Sequence, residues 1–195
     1  TTNSKALWSA MWSYKDHGKS FDAIYNREHP PGFRWLHESF GTNWRMTEMQ
    51  AVLGRIQLTR MTDWTAKRQT YGAALDKAAW EFDCIRLVTV PSYIEHAEYK
   101  HYMFVKPEQL ADGWDRDRIV NEIVERGVPC FQGSCSEVYL EKAFDNTLWR
   151  PEKRLPNAVE LGETSLMFLV HPTLTEAEIA KATQVMKEVF ALASK

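Results

Sequence analysis

Asn43 and Arg45, in the run Gly41-Thr42-Asn43-Trp44-Arg45-Met46-Thr47, are the side chains best suited to chemistry in this sequence. They lie just before a predicted helix start, where unpaired N–H groups and the helix dipole favour a phosphate or carboxylate. An Asn amide donates two hydrogen bonds, and an Arg guanidinium can fork onto a phosphate. The plainer alternative is a turn asparagine beside a surface charge.

The remaining candidates carry weaker signals. His17 precedes Gly18 at a predicted helix end, a place that suits either a cleft residue or a histidine facing the helix dipole. His171, ahead of Pro172 and the last predicted helix, and Gln132, in the segment Pro129 to Ser136, are candidates for substrate contact. Cys130 and Cys135 have no histidine near them in sequence to activate a thiolate. His29, His37 and His96 fall in loop-like stretches and are expected to be solvated, whereas His101 is expected to pack within a strand. Glu137, Glu141 and Lys142 read as a solvated helix face. Lys15 and Lys19 read as exposed, without the desolvated setting that makes a lysine nucleophilic. No two His or Cys residues have metal-ligand spacing, so no metal is expected.

These residues must be positioned by the elements around them. Thr47 and Gln50 form a T-x-x-Q capping box, and apolar residues recur near a 3.6 period from Met49 to Ala78. The pattern predicts one helix from Thr47 to Ala79, roughly 50 Å long at ~1.5 Å per residue. Gly54 and Gly72 within it each cost about 1 kcal/mol relative to Ala, so one of them is expected to mark a bend or a close packing point. An earlier helix, capped by Asn3 or Ser4 and stopped by Gly18, is apolar around much of its circumference and calls for burial on more than one side. Residues 20–46 lack periodicity, contain the breaker His29-Pro30-Pro31-Gly32, and carry aromatics including Phe21, Tyr25, Phe33, Trp35 and Phe40. Loops of this length are uncommon unless functional or disordered, and the aromatic content argues against disorder.

Downstream, strands are predicted over Cys84–Val90, Tyr99–Val105 and Leu166–Val170. Asp112 to Asp115 opens a helix with Ile119, Val120, Ile123 and Val124 inward and Gly127 as its stop. A short amphipathic helix is expected over Ser136–Phe144. Thr175 and Glu178 form a second capping box opening a final helix. The expected fold class is α+β: a long helix leading into a small antiparallel sheet with helices on one side. Residues 1–80 and 81–195 are the expected parts.

A net charge of −2 and no basic run give no pull on nucleic acid or an anionic membrane. No apolar run approaches the ~20 residues needed to span a bilayer. Three cysteines without paired spacing fit reduced thiols and a cytoplasmic setting. Eight tryptophans imply extensive aromatic burial, against other elements or against another chain. The start at Thr1, without Met, fits an excised or proteolysed piece of a longer protein.

The run from Gly41 to Leu58, G-x-N-x-R-M-T-E-x-Q-A-x-L-G-x-x-Q-L, resembles the signature of the DegT/DnrJ/EryC1/StrS sugar aminotransferases. KDHGKS (Lys15 to Ser20) resembles the upstream HG segment of that family, and LVHPTLTEAEI (Leu169 to Ile179) its closing strand-to-helix passage. The resemblance implies the C-terminal portion of a type I fold (α/β in the parent) that uses pyridoxal phosphate (PLP). It implies a homodimer in which Asn43 contacts the cofactor phosphate of the adjacent subunit, with Arg45 beside the same cleft and the aromatic loop reaching across. It also implies a nucleotide-sugar substrate, an amino-acid donor such as glutamate, and a Schiff-base lysine before Thr1, so that this chain alone is inactive. A sugar dehydratase of the same family, with His replacing that lysine, and a non-catalytic dimerisation or sugar-nucleotide-binding domain are the alternatives. The family's P-x-H element has Phe131, Gln132, Gly133 and Ser134 in its place here, which leaves sugar and nucleotide open.

Overall fold

The computed structural model describes residues 1–29, 31–32 and 34–195; Pro30 of the expected breaker and Phe33 lie outside the described residues. Two compact units form, Thr1–Thr59 and Arg60–Lys195. The second takes in the later turns of the long helix, which the sequence pattern assigns to the first part.

In the first unit, α1 (Lys5–Lys15) is capped by the Ser4 hydroxyl, which accepts from Leu7 N–H. Of its residues only Ser13 is buried, so Leu7, Trp8, Met11 and Tyr14 keep the open apolar surface that the sequence pattern anticipates. A short helix, α2 (Phe21–Tyr25), follows with Ser20 as its cap. It falls in the stretch read as aperiodic, because five residues are too few to display a period. Its Phe21 packs edge-on against Trp8 and Trp12. The long helix α3 (Glu48–Ala79) begins where expected, with Thr47 N–H donating to Gln50 Oε1 at 2.9 Å and Gln50 N–H to Thr47 Oγ1 at 3.4 Å.

The second unit is built on a four-stranded antiparallel sheet, β1 (Ile85–Leu87), β2 (His101–Val105), β3 (Cys130–Phe131) and β4 (Ser165–Phe168), in the order β1-β2-β4-β3. β1, β2 and β4 are shorter than the stretches predicted for them, and β3 is a strand that the sequence reading lacks. The register sets Leu87 opposite Met103, Met103 opposite Leu166, and both His101 and Cys130 opposite Phe168, making one continuous face. The core joins this face to Tyr71 and Leu75 of α3, Ile119 and Ile123 of α4 (Arg116–Glu125), and Met186 and Phe190 of α6 (Glu176–Ala193). The Thr175–Glu178 capping box opens α6, and Gly127 ends the α4 turn with φ +76°.

Contrary to expectation, helices do not lie on one side only. A helix absent from the sequence reading, α5 (Pro156–Thr164), has its Glu160 3.4 Å from Arg86, which points away from the core face and lies over the Phe104 ring. The predicted helix over Ser136–Phe144 is two 3-10 turns, Val138–Leu140 and Lys142–Phe144. The reason is competition for carbonyls: Arg150 donates to those of Tyr139 and Glu141, and Tyr139 OH accepts from Leu155 N–H. Glu137 is not a solvated residue either. Arg154 forks onto it at 2.8 Å and 2.5 Å, and that hydrogen bonding brings its pKa down to about 2.

No tryptophan is fully buried within this chain by itself, and Trp8, Trp35, Trp44, Trp80 and Trp149 are exposed.

His101 is buried as expected, but it is charged. Its Nε2–H donates to Asp76 at 2.9 Å and its Nδ1–H to Glu98 at 3.2 Å. His96, expected to be solvated, lies 3.0 Å from the other Glu98 oxygen. Gly72 of α3 permits the approach: a Cβ there would stand 3.1 Å from His101 Nδ1. Gly72 is thus the close packing point, whereas a Cβ on Gly54 would meet nothing within 4 Å. Burial opposes the charge on His101, but the bonds to Asp76 and Glu98 outweigh it and raise the pKa from 6.5 to about 9. A raised folded-state pKa stabilises the fold fully below pH 6.5, and that stability is lost as pH rises through about 9. Urea titrations should show this loss, on the order of 2–3 kcal/mol, in the native protein and not in His101→Gln. Equal pH slopes in the two proteins would refute the assignment.

Candidate functional site

The site in the first unit rests on two backbone runs laid side by side. Thr42 N–H donates to Tyr14 O at 2.7 Å, His17 N–H to Thr42 O at 3.1 Å, and Trp44 N–H to Lys15 O at 3.0 Å. Asp16 and Asn43 form an antiparallel bridge at the centre. Two glycines make this possible. Gly18 has φ +87°, and a Cβ on it would lie 1.7 Å from Ser39 O; a Cβ on Gly41 would lie 2.4 Å from Gly18 N. The histidine-glycine pair and the later Gly41-Thr42-Asn43 are therefore two halves of one structure.

This pairing brings Asn43, Arg45 and His17 to one cleft of about 520 Å³, whose wall also includes Asp16, Lys19 and Thr47 at the start of α3. Asn43 Oδ1 accepts from Arg45 N–H at 3.3 Å, which turns the amide NH₂ into the part available for an incoming acceptor. Arg45 is half-exposed, and its guanidinium donates to Asp16 Oδ2. Lys19 Nζ stands 3.3 Å from Asp16 Oδ1 and is largely buried, not exposed as the sequence suggests. Arg45 and then Lys19 hold the buried Asp16 carboxyl below its ordinary range, against the cost of desolvation. Two cations thus share one carboxylate, leaving a positive excess among these three groups beside a helix N-terminus. Such a donor set fits a phosphate group.

Asp16 was missed by sequence reasoning. Its only nearby clue is Lys19 three residues on, while Arg45 is 29 positions away.

In the second unit Gln132 and His171 are each tied to a near neighbour. Gln132 Nε2 donates to Asp117 at 2.8 Å, and His171 Nδ1 lies 2.8 Å from Thr173 Oγ1. A cavity of about 350 Å³ is lined by Asp76, His96, Glu98, His101, Tyr102 and Ser134 among others. Both His101 nitrogens are committed to carboxylates, so the ring cannot accept a proton there. Cys130 is no nucleophile, since burial pushes its thiol up to about 12.

Gly18→Ala should loosen residues 13–44 by more than about 2 kcal/mol, because a positive φ and a backbone collision act together. Amide hydrogen exchange would report it as lost protection at Thr42 and Trp44; retained protection there would contradict the interlock.

Residues 1–189 match the DegT/DnrJ/EryC1/StrS aminotransferase family. Among curated proteins, the chain is 26% identical over 142 residues to the erythromycin biosynthesis sensory transduction protein EryC1 of Saccharopolyspora erythraea, covering 73% of this chain and 36% of that protein. It is 26% identical over 156 residues to a dTDP-3-amino-3,4,6-trideoxy-alpha-D-glucose transaminase of Streptomyces venezuelae, covering 80% of this chain and 38% of the relative. Among solved structures, an aminotransferase from Psychrobacter cryohalolentis is 58% identical with a TM-score of 0.87, covering 98% of this chain and 50% of that one. The chain therefore spans little more than a third of these curated relatives and half of that solved chain. With nearly its whole length matched, the chain belongs to the DegT/DnrJ/EryC1/StrS aminotransferase family.

Proposed function

We propose that this chain is the C-terminal part of a PLP-dependent nucleotide-sugar aminotransferase. The parent protein transfers an amino group from an amino acid, glutamate first among the donors, to a keto sugar carried on a nucleoside diphosphate. In this reading residues 1–80 complete the large PLP domain, residues 81–195 form the small domain, and the enzyme works as a cytoplasmic homodimer. The observation that carries the reading is the convergence of Asn43 and Arg45 on one cleft at the start of α3, with Lys19 beside them. Family membership supports the reaction class, and relatives named as dTDP-sugar transaminases support a nucleotide-sugar substrate of unspecified sugar.

PLP, when bound, serves as the electron sink that labilises bonds at the amino-bearing carbon. This chain's part is to hold and orient. The Asn43 amide would donate to phosphate oxygens, and the edge of Arg45 turned away from Asp16 would add a charge-assisted bond. The α3 N-terminus adds favourable dipole at the same point. His17, Gln132 and His171 are the candidate contacts to substrate.

Among the described residues, neither Lys15 nor Lys19 is set up as a nucleophile. Lys19 is paired with Asp16, and Lys15 lies over the Trp12 ring at 3.9 Å. The 195-residue chain alone is therefore expected to be without transaminase activity. In the full-length protein, Arg45→Gln should weaken PLP binding by about ten- to a hundredfold, the loss expected for a charge-assisted hydrogen bond. Asn43→Ala should weaken it several-fold. Absorbance titration of the apo-protein measures both, and unchanged affinity in both variants would remove the site from the cofactor.

A further inference from the structure

We propose that Asp16 is a positioning residue: it holds Arg45 so that one edge of the guanidinium is fixed on the buried carboxylate while the other faces the cleft. This rests on the reading that Arg45 binds a phosphate, and it concerns how the arginine comes to be ready for one. Asp16 is 1% exposed, yet its carboxylate has a cation on each oxygen, Arg45 on Oδ2 and Lys19 on Oδ1. A buried carboxylate with a specific pair is costly to place unless it is well satisfied, so its position is sharply defined. That position is fixed from the backbone as well. Asp16 ends α1 with its own N–H on Ser13 O, and it bridges to Asn43, two residues from the arginine it holds.

Arginine is suited to such a shared role. Its guanidinium is a rigid plane with five donors, so one edge can be spent on an internal carboxylate and another kept for a ligand. An unheld Arg45 would sample many rotamers over an open cleft and lose that freedom at each binding event. Asp16 imposes the loss during folding instead. The same carboxylate also lowers the positive potential of the cleft, which by itself would weaken anion binding. The two effects have opposite signs, and the proposal is that orientation outweighs the lost charge.

The test is a double-mutant cycle in the full-length protein, with PLP affinity of the apo-form read by absorbance and the fold checked by circular dichroism. Asp16→Asn should weaken PLP binding by about three- to tenfold, the worth of one long side chain held in advance. In an Arg45→Gln background the same substitution should change nothing, because Asp16 acts only through Arg45. A gain in affinity on Asp16→Asn, or an equal loss in both backgrounds, overturns the proposal and leaves the phosphate role of Arg45 intact. If Arg45→Gln itself has no effect, it is the phosphate reading that falls. Should Asp16→Asn not fold, the native full-length protein still decides the matter by ¹⁵N NMR of the arginine side chains. A restrained Arg45 Nε–H supports the proposal, and one as mobile as a free surface arginine rejects it.

Discussion

Two peptide runs in the first unit lie closer together than any side chain would allow. Gly18 and Gly41 are where they touch, and every polar group of the candidate site is hung from the backbone bonds on either side of that contact. Asp16 and His17 precede the first glycine, Asn43 and Arg45 follow the second. The spacing of functional groups in this cleft is therefore a property of the main chain, with side chains adding charge to a frame already set. The two motifs are separated by some twenty residues in sequence, α2 among them, and by the length of a hydrogen bond in space.

The two units bury charge in opposite ways. In the first, one carboxylate is wrapped by two cations, Arg45 and Lys19. In the second, one imidazolium is wrapped by two carboxylates, Asp76 and Glu98, with His96 completing the chain. The His101 arrangement leaves no ring N–H over and ties a helix, a strand and a loop together. The Asp16 arrangement leaves its arginine half in solvent. That asymmetry is what separates a clasp from a candidate binding site, and it follows from Gly72 admitting the histidine to the helix surface.

Local signals in the sequence carried over well. Both capping boxes form as written, Ser4 caps α1, and Gly127 closes α4, because each depends on residues three or four positions apart. Non-local arrangements were not legible. Helix α5 has no side-chain cap, and its one start signal is Pro156 at the first position; Arg116 fastens its end by donating to Gly162 O and Ser165 O from far upstream. The Tyr139 and Arg150 bonds that break residues 136–144 into short turns likewise join distant positions. Asn43, Arg45 and His17 were identified from type and setting, but that Asp16 gathers them depends on strand-like pairing no periodicity reveals. Gln132 and His171 were named from their segments; His171 is held by Thr173 within its own segment, and Gln132 by Asp117 fifteen positions away.

The surface indoles have a practical side. Trp35, Trp44, Trp80 and Trp149 already meet solvent in the native state, so their emission sits near the red limit before any denaturant is added. Fluorescence would then follow unfolding poorly, yet it would shift to the blue when another surface comes to cover those rings, making the native spectrum a gauge of association.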